Sequence, residues 1–273
     1  MNASRMIWAG VGIVSLLCTA LLATGFWHAV ETVTTSPPSA ASPEEKREVP
    51  APPEDGVYRI LALGDSLAKG TGDNSGEGFA GKVKRALDDL LDARVVLVNY
   101  GVNGYRAEQL LRDLELRDGT IAQVREAELI LVSIGANDVF VLDNPTQADI
   151  DAGRANTLKG AALERVRKIM ERLHELNPRA KTVYIGLYNP FSDIEDVAED
   201  AAQFVHEWNY SVQRMLAPYP NMALVPTYDL FQERVADWLA PDHYHPNEEG
   251  YRRIADRILQ LTAGGWTHGE AER

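Results

Sequence analysis

Cysteine is almost absent from this chain, because Cys18 is the only one in 273 residues. An intrachain disulfide is therefore impossible, and no cysteine nucleophile is available beyond residue 18. Positive charge is also scarce: 27 Lys and Arg stand beside 40 Asp and Glu, for a formal net charge of −13. Nucleic acids and anionic lipid headgroups select basic surfaces, so this charge balance argues against both as partners.

Charged side chains are missing from one long stretch near the N-terminus, between Arg5 and Glu31. Residues 6–27 are mostly Ile, Val, Leu, Ala and Gly, and as a helix they would span roughly 33 Å, enough to cross a bilayer. This is long for a cleaved signal peptide, so we favour an uncleaved anchor, with cleavage near Ala23-Thr24-Gly25 as the alternative. Arg5 before the span predicts a cytoplasmic N-terminus and an extracytoplasmic remainder.

The composition divides the rest of the chain. From about residue 32 it is rich in Pro, Ser, Ala and Glu, as in Ser36-Pro37-Pro38, which is typical of an extended tether. The following residues are numerous enough for one α/β domain with its own core. We predict an anchor or signal peptide at 1–30, a Pro-rich linker at 31–56, a globular domain at 57–267 and a polar tail at 268–273.

The globular part alternates short apolar runs with longer amphipathic segments. The runs, read as strands buried on both faces, are 58–63, 95–98, 129–134, 182–187 and 223–225. The amphipathic segments, read as helices, are 79–91, 107–114, 158–176, 197–216 and 248–261. This order predicts a three-layer α/β/α sandwich around a mostly parallel five-stranded sheet. Reactive groups in such a fold lie beyond the carboxyl ends of the strands.

A serine follows the first predicted strand, in Gly64-Asp65-Ser66-Leu67. A serine on a strand-to-helix turn can present its hydroxyl beside converging backbone N–H groups. The same glycine-rich stretch, with Gly70 and Gly72, could instead cradle a phosphate. However, it lacks the Gly-Lys-Ser/Thr of a nucleotide-binding loop and the spacing of the dinucleotide fingerprint.

Polar turns follow the second and third predicted strands. Asn103-Gly104 marks a tight turn, for which a structural role is the simplest interpretation. Asn137, in Gly135-Ala136-Asn137-Asp138, is either a helix cap or a side chain that aims an N–H at a reacting oxygen.

An Asp and a His lie three residues apart near the C-terminus, at Asp242 and His245. A general base needs an imidazole near neutral pKa and a carboxylate that orients it, and one short loop can supply both. We favour His245 over His243, because it has this offset and is followed by Pro246. A surface turn or a metal ligand is the alternative for these histidines.

The four motifs together resemble the SGNH/GDSL hydrolase family, whose blocks carry Ser, Gly, Asn and His in this order. The resemblance implies a flavodoxin-like SGNH fold and a two-step acyl transfer that needs no metal or organic cofactor. It assigns catalysis to Ser66, Asp242 and His245, and an oxyanion hole to the backbone N–H groups of Ser66 and Gly104 with the Asn137 side chain. Residues 66–73 further resemble membrane-anchored or secreted lipases and esterases of Gram-positive bacteria.

The substrate is less constrained by the sequence. Val139, Phe140, Tyr188 and Phe191 follow strands and are candidates to wall an acyl pocket, although they could equally pack the domain. An apolar wall near a membrane favours fatty-acyl or lysophospholipid-like esters, cleaved by an extracytoplasmic monomer. The alternatives are O-acetyl esters of cell-wall or extracellular glycans, a cytoplasmic acyl-CoA thioesterase, and a domain that binds glycan or lipid without catalysis.

Overall fold

The computed structural model describes residues 3–35, 53, 55–140 and 152–263. The chain divides into two compact units, Met1–Arg47 and Glu48–Arg273. The first unit contains helix α1, Ala3–Thr35, in which Val11–His28 is long and apolar enough to cross a membrane. The helix continues past residue 30, whereas most of the predicted linker and the predicted tail at 268–273 lie outside the described residues.

The second unit alternates strands and helices. The strands are β1 Val57–Gly64, β2 Arg94–Gly101, β3 Leu129–Ser133, β4 Lys181–Ile185 and β5 Met222–Val225. The longer helices are α3 Gly78–Leu90, α4 Ala107–Leu116, α5 Asp118–Glu126, α7 Ala152–Leu176, α8 Ala198–Leu216 and α11 Glu248–Ala263. Four short helices, α2 Ser66–Lys69, α6 Ala136–Val139, α9 Tyr228–Phe231 and α10 Val235–Trp238, lie in the connections.

The five strands form one parallel sheet in the order β2-β1-β3-β4-β5. Side chains of β1 alternate between the two faces: Leu61 and Leu63 enter one buried apolar cluster, and Ile60 and Ala62 enter the other. Helices cover both faces, which confirms the predicted α/β/α sandwich. Because Gly64 at the end of β1 pairs with both neighbouring strands, their carboxyl ends meet at one edge of the sheet.

Several predicted boundaries differ from the structure by a few residues, and two larger differences have physical reasons. Helix α5 was not predicted, because only Thr120 and Val124 of its residues are buried and its apolar stripe is correspondingly short. The strand predicted at 182–187 ends at Ile185. Leu187 has left the sheet, and the Asn209 side chain satisfies both its N–H and its carbonyl at 2.8 Å.

Candidate active site

Ser66 begins helix α2 directly after β1, in a turn that requires particular residues. Gly64 has φ +133°, and a methyl group there would lie 1.7 Å from the Ser133 carbonyl oxygen, so no larger residue fits. Asp65 caps the helix by accepting the Leu67 N–H at 3.0 Å and also accepts the Ser133 hydroxyl at 3.2 Å. Gly64 and Asp65 therefore shape the turn. Ser66 itself is largely buried, with 9% of its surface exposed.

Asp65 is a buried carboxyl beside this serine. Burial raises its pKa to about 7, although the hydrogen bonds from Leu67 and Ser133 act in the opposite direction. The low exposure of Asp65, 3%, agrees with burial as the dominant cause. Ionisation of this group therefore costs the folded state free energy.

The loop before α11 carries an imidazole to Ser66. His245 Nε2 lies 2.8 Å from Ser66 Oγ, and its Nδ1 lies 2.6 Å from Asp242 Oδ2. The other Asp242 oxygen accepts the backbone N–H groups of Tyr244 and His245, both at 3.0 Å. Burial would raise the pKa of Asp242, but the hydrogen bonds from His245 and Tyr244 outweigh it and the pKa is lowered. His243, the alternative candidate, is exposed.

The predicted oxyanion-hole residues lie on neighbouring turns. Asn137 is in α6 and lines a cavity beside Ser66, and its Nδ2 donates to the Tyr105 carbonyl at 2.9 Å. Since an amide nitrogen carries two hydrogens, one N–H of Asn137 is left for another acceptor. Gly104 lies in the turn after β2 with φ +75° and is not among the residues that line the cavity.

The turn that carries Gly104 is joined to the serine helix. The Asn99 side chain donates to the Ala68 carbonyl at 2.8 Å, and the Thr71 hydroxyl donates to Asn103 Oδ1 at 2.7 Å. These contacts hold the carboxyl end of β2 against α2.

A cavity of about 30 Å³ opens beside Ser66. Of the predicted wall residues, Phe140 and Tyr188 line it. Phe191 packs behind, with its ring 6.2 Å from that of Phe140, and Val139 is buried in the core. The sequence did not single out the other side chains that line the cavity, which include Leu67, Leu187, Pro190 and Tyr244. Leu67, Leu187 and Tyr244 are direct neighbours of Ser66, Tyr188 and His245 in the chain, and Pro190 lies two residues after Tyr188. This proximity in the chain is the signal that could have identified them.

A larger cavity, of about 670 Å³, lies at the opposite edge of the sheet, where β1, β3 and β4 begin. Charged side chains dominate its lining, among them Arg59, Arg125 and Glu128. The described residues that line this larger cavity include no Ser, Cys or His. The cavity beside Ser66, although smaller, is therefore the candidate for nucleophilic chemistry. Within the described residues, no group of three His, Cys, Asp or Glu is arranged to hold a metal ion.

Several known proteins are similar to this chain in sequence. A model of the GDSL-like lipase/acylhydrolase family matches residues 62–253. The chain is 29% identical over 208 residues to the uncharacterized protein YpmR of Bacillus subtilis, covering 74% of this chain and 80% of that protein. It is 25% identical over 207 residues to the spore germination lipase LipC of Bacillus licheniformis, covering 74% of this chain and 95% of that protein.

Solved structures share the fold. The lipase Lip_vut3 from a goat rumen metagenome superimposes with a TM-score of 0.65 at 23% identity, covering 77% of this chain and 99% of that one. The acetylxylan esterase Axe2 of Geobacillus stearothermophilus superimposes with a TM-score of 0.57 at 19% identity, covering 78% of this chain and 97% of that one.

Proposed function

The chain belongs to the GDSL-like lipase/acylhydrolase family and is a carboxylic ester hydrolase, and we propose that it works through an acyl-enzyme on Ser66. The observation that carries this proposal is the chain of contacts from Ser66 Oγ to His245 at 2.8 Å and from His245 to Asp242 at 2.6 Å. A hydroxyl, an imidazole and a carboxylate in this order form an activated nucleophile.

In the first step, His245 Nε2 takes the hydroxyl proton while Ser66 Oγ attacks the ester carbonyl carbon. Asp242 accepts the Nδ1–H of His245, which fixes the ring and stabilises the imidazolium that forms. The tetrahedral intermediate collapses when His245 returns the proton to the departing alcohol oxygen. The acyl group is then bonded to Ser66.

The negative charge on the tetrahedral oxygen needs hydrogen-bond donors. We assign this role to the backbone N–H groups of Ser66 and Gly104 and to the second N–H of the Asn137 side chain. Each such donor typically supplies about 3–4 kcal/mol of transition-state stabilisation. Water then attacks the acyl-enzyme with His245 again acting as base, which releases the acid and restores Ser66.

For the substrate, we propose esters of apolar acyl groups, of the fatty-acyl or lysophospholipid type. The side chains around Ser66 that support this assignment are Leu67, Phe140, Leu187 and Pro190. Apolar side chains at this place favour an acyl chain over a sugar ring, because the burial of apolar surface is the main source of binding free energy there. The family's chemistry requires no metal or organic cofactor in these steps.

Short-chain esters, including O-acetyl groups on glycans, are the second candidate. The observation in their favour is the volume of the cavity, about 30 Å³, whereas one water needs roughly 10–15 Å³ on this measure. A long chain must therefore either continue along the surface or widen the cavity.

We further propose that α1 anchors a monomeric enzyme outside the membrane, with the part of the predicted linker that follows Thr35 leading to the globular domain at 57–267. The exposed apolar side chains of Val11–His28 support the anchor. Protease added to intact cells should remove the globular domain, and the detergent-solubilised chain should run as one copy in light scattering. Resistance of the domain to external protease would contradict this topology.

Two measurements on the full chain in detergent test the enzymatic proposal. A fluorophosphonate probe should label the wild type and should fail to label a folded Ser66→Ala variant. Hydrolysis of p-nitrophenyl esters from acetate to palmitate should then give rates that peak at or beyond octanoate if lipid esters are the substrate. A sharp maximum at acetate would assign the short-chain candidate instead.

A further inference from the structure

Tyr188 connects the loop after β4 to the loop that carries His245. Its hydroxyl donates to the Tyr244 carbonyl oxygen at 2.6 Å. Its ring stacks on Phe231 with centroids 4.2 Å apart, and the whole residue is only 9% exposed. Packing on one side and the hydrogen bond on the other therefore hold Tyr188 in one place.

The carbonyl that Tyr188 binds belongs to the residue immediately before His245. The other backbone contacts of this loop lie at its base: Ala240 N–H donates to the His245 carbonyl at 2.8 Å, and His243 N–H donates to the Ala240 carbonyl at 2.9 Å. The Tyr244 N–H donates to Asp242 within the loop itself. Tyr188 thus ties the Tyr244 carbonyl to the loop after β4.

The loop needs such a tie because one of its residues has an unfavourable backbone. His243 has φ +56°, in the left-handed region that is uncommon for residues with a Cβ. A conformation of this kind persists only when surrounding contacts over-determine it. The Tyr188 hydrogen bond, to the carbonyl of the residue that follows His243, is one of those contacts.

Burial keeps Tyr188 a donor at every working pH, because it raises the pKa of the phenol well above its usual value. The neighbouring carboxylate of Asp242 acts in the same direction.

We propose that Tyr188 is a positioning residue, whose hydroxyl holds the Tyr244 carbonyl so that His245 Nε2 stays within hydrogen-bonding distance of Ser66 Oγ. This proposal rests on the proposed function of Ser66 and His245. It is separate from the wall role of the same residue, since the ring lines the cavity and the hydroxyl makes the contact with the loop.

Tyr188→Phe separates the two roles because it keeps the ring and removes the hydroxyl. The matched control is Tyr58→Phe, the same chemical change at a buried tyrosine near the start of β1, at the far end of the sheet from Ser66. For the full chain in detergent, kcat and KM for one p-nitrophenyl ester and the thermal midpoint are measured for wild type and both variants.

We expect Tyr188→Phe to lower kcat by about 5- to 20-fold, with KM within about twofold, because misplaced catalytic groups slow the chemical step and not binding. Fluorophosphonate labelling of Ser66 should slow by a similar factor. Tyr58→Phe should retain the wild-type kcat at temperatures well below its midpoint.

Three outcomes would overturn the positioning role: an unchanged kcat in Tyr188→Phe, a rise in KM alone, or an equal loss of kcat in both variants. Failure of the proposed function looks different, because the wild type itself would then lack esterase turnover or Ser66 labelling.

Discussion

His245 Nε2 lies 2.8 Å from Ser66 Oγ, although 179 positions separate the two residues in the chain. The segment after α2 helps to bring them together. Tyr251 of α11 donates its hydroxyl to the Thr71 carbonyl at 2.8 Å, so the start of the last helix is bound to the segment that follows the serine. Asp73, two residues further on, is held by a buried ion pair with Lys82 at 3.2 Å.

The contact between His245 and Asp242 predicts a large effect of Asp242→Asn. An amide keeps the shape but cannot stabilise the imidazolium, so kcat should fall by roughly 1,000- to 10,000-fold while KM changes little. Asp237→Asn, on an exposed residue of α10, is the control and should be silent. Steady-state kinetics with a p-nitrophenyl ester measure both. A loss of less than about tenfold in Asp242→Asn would mean that another group orients the imidazole.

Asn137 should contribute to kcat through its free N–H. Asn137→Ala removes a donor to the developing oxyanion, and we expect kcat to fall by about 100- to 1,000-fold with a smaller change in KM. Asn74→Ala, at an exposed position of the loop before α3, is the control. If Asn137→Ala retains the wild-type kcat, the Asn137 side chain does not belong to the oxyanion hole. Its role is then limited to the hydrogen bond with the Tyr105 carbonyl.

Gly72 should tolerate no side chain, because it lies against the loop that carries His245. A methyl group there would come within 2.5 Å of the Pro246 carbonyl oxygen and 3.0 Å of His245 Cβ. Gly72→Ala should therefore displace His245 and lower kcat by at least about 10-fold.

Gly76→Ala is the matched control for this substitution. Gly76 has φ +71°, close to the φ of +94° at Gly72, but a methyl group there meets no atom within 4 Å. Both variants should lose some thermal stability from backbone strain, while only Gly72→Ala should lose activity. Equal kcat in the two variants would show that the close approach to His245 is not needed for turnover.

Asp65 should make stability depend on pH. Burial raises its pKa in the folded state to about 7, from an ordinary value of 3.8, so the folded chain binds more protons than the unfolded chain between these limits. The contribution of Asp65 to the free energy of unfolding therefore falls as the pH rises from about 4 to about 7. Asp65→Asn does not titrate and should not show this fall.

The measurement is the thermal midpoint of both chains in detergent at several pH values. Between about pH 4 and about pH 7, the thermal midpoint of the wild type should decrease relative to that of Asp65→Asn. Above about pH 7, the two midpoints should change in parallel. A wild-type midpoint that rises relative to the variant over the same interval would contradict a raised pKa.

Much of the architecture was predictable because it depends on local sequence. The strands buried on both faces appear as short apolar runs, and β1, β2, β3 and β5 lie where those runs predict them. Likewise, the turn before Ser66 needs glycine at position 64 and a capping carboxylate at position 65, so its residues are visible as a motif. The spacing of Asp242 and His245 also follows from one loop, whose backbone N–H groups bind the carboxylate.

Other features depend on segments that are distant in the chain, and only the tertiary structure decided them. It put Phe140 on the cavity, whereas Val139, its neighbour in the chain and also a predicted wall residue, does not line it. The bond from Tyr188 to the Tyr244 carbonyl spans 56 positions and has no sequence signature. Apolar periodicity and turn chemistry report what one segment prefers, whereas the direction of a side chain at the edge of the sheet is set by the segments packed around it.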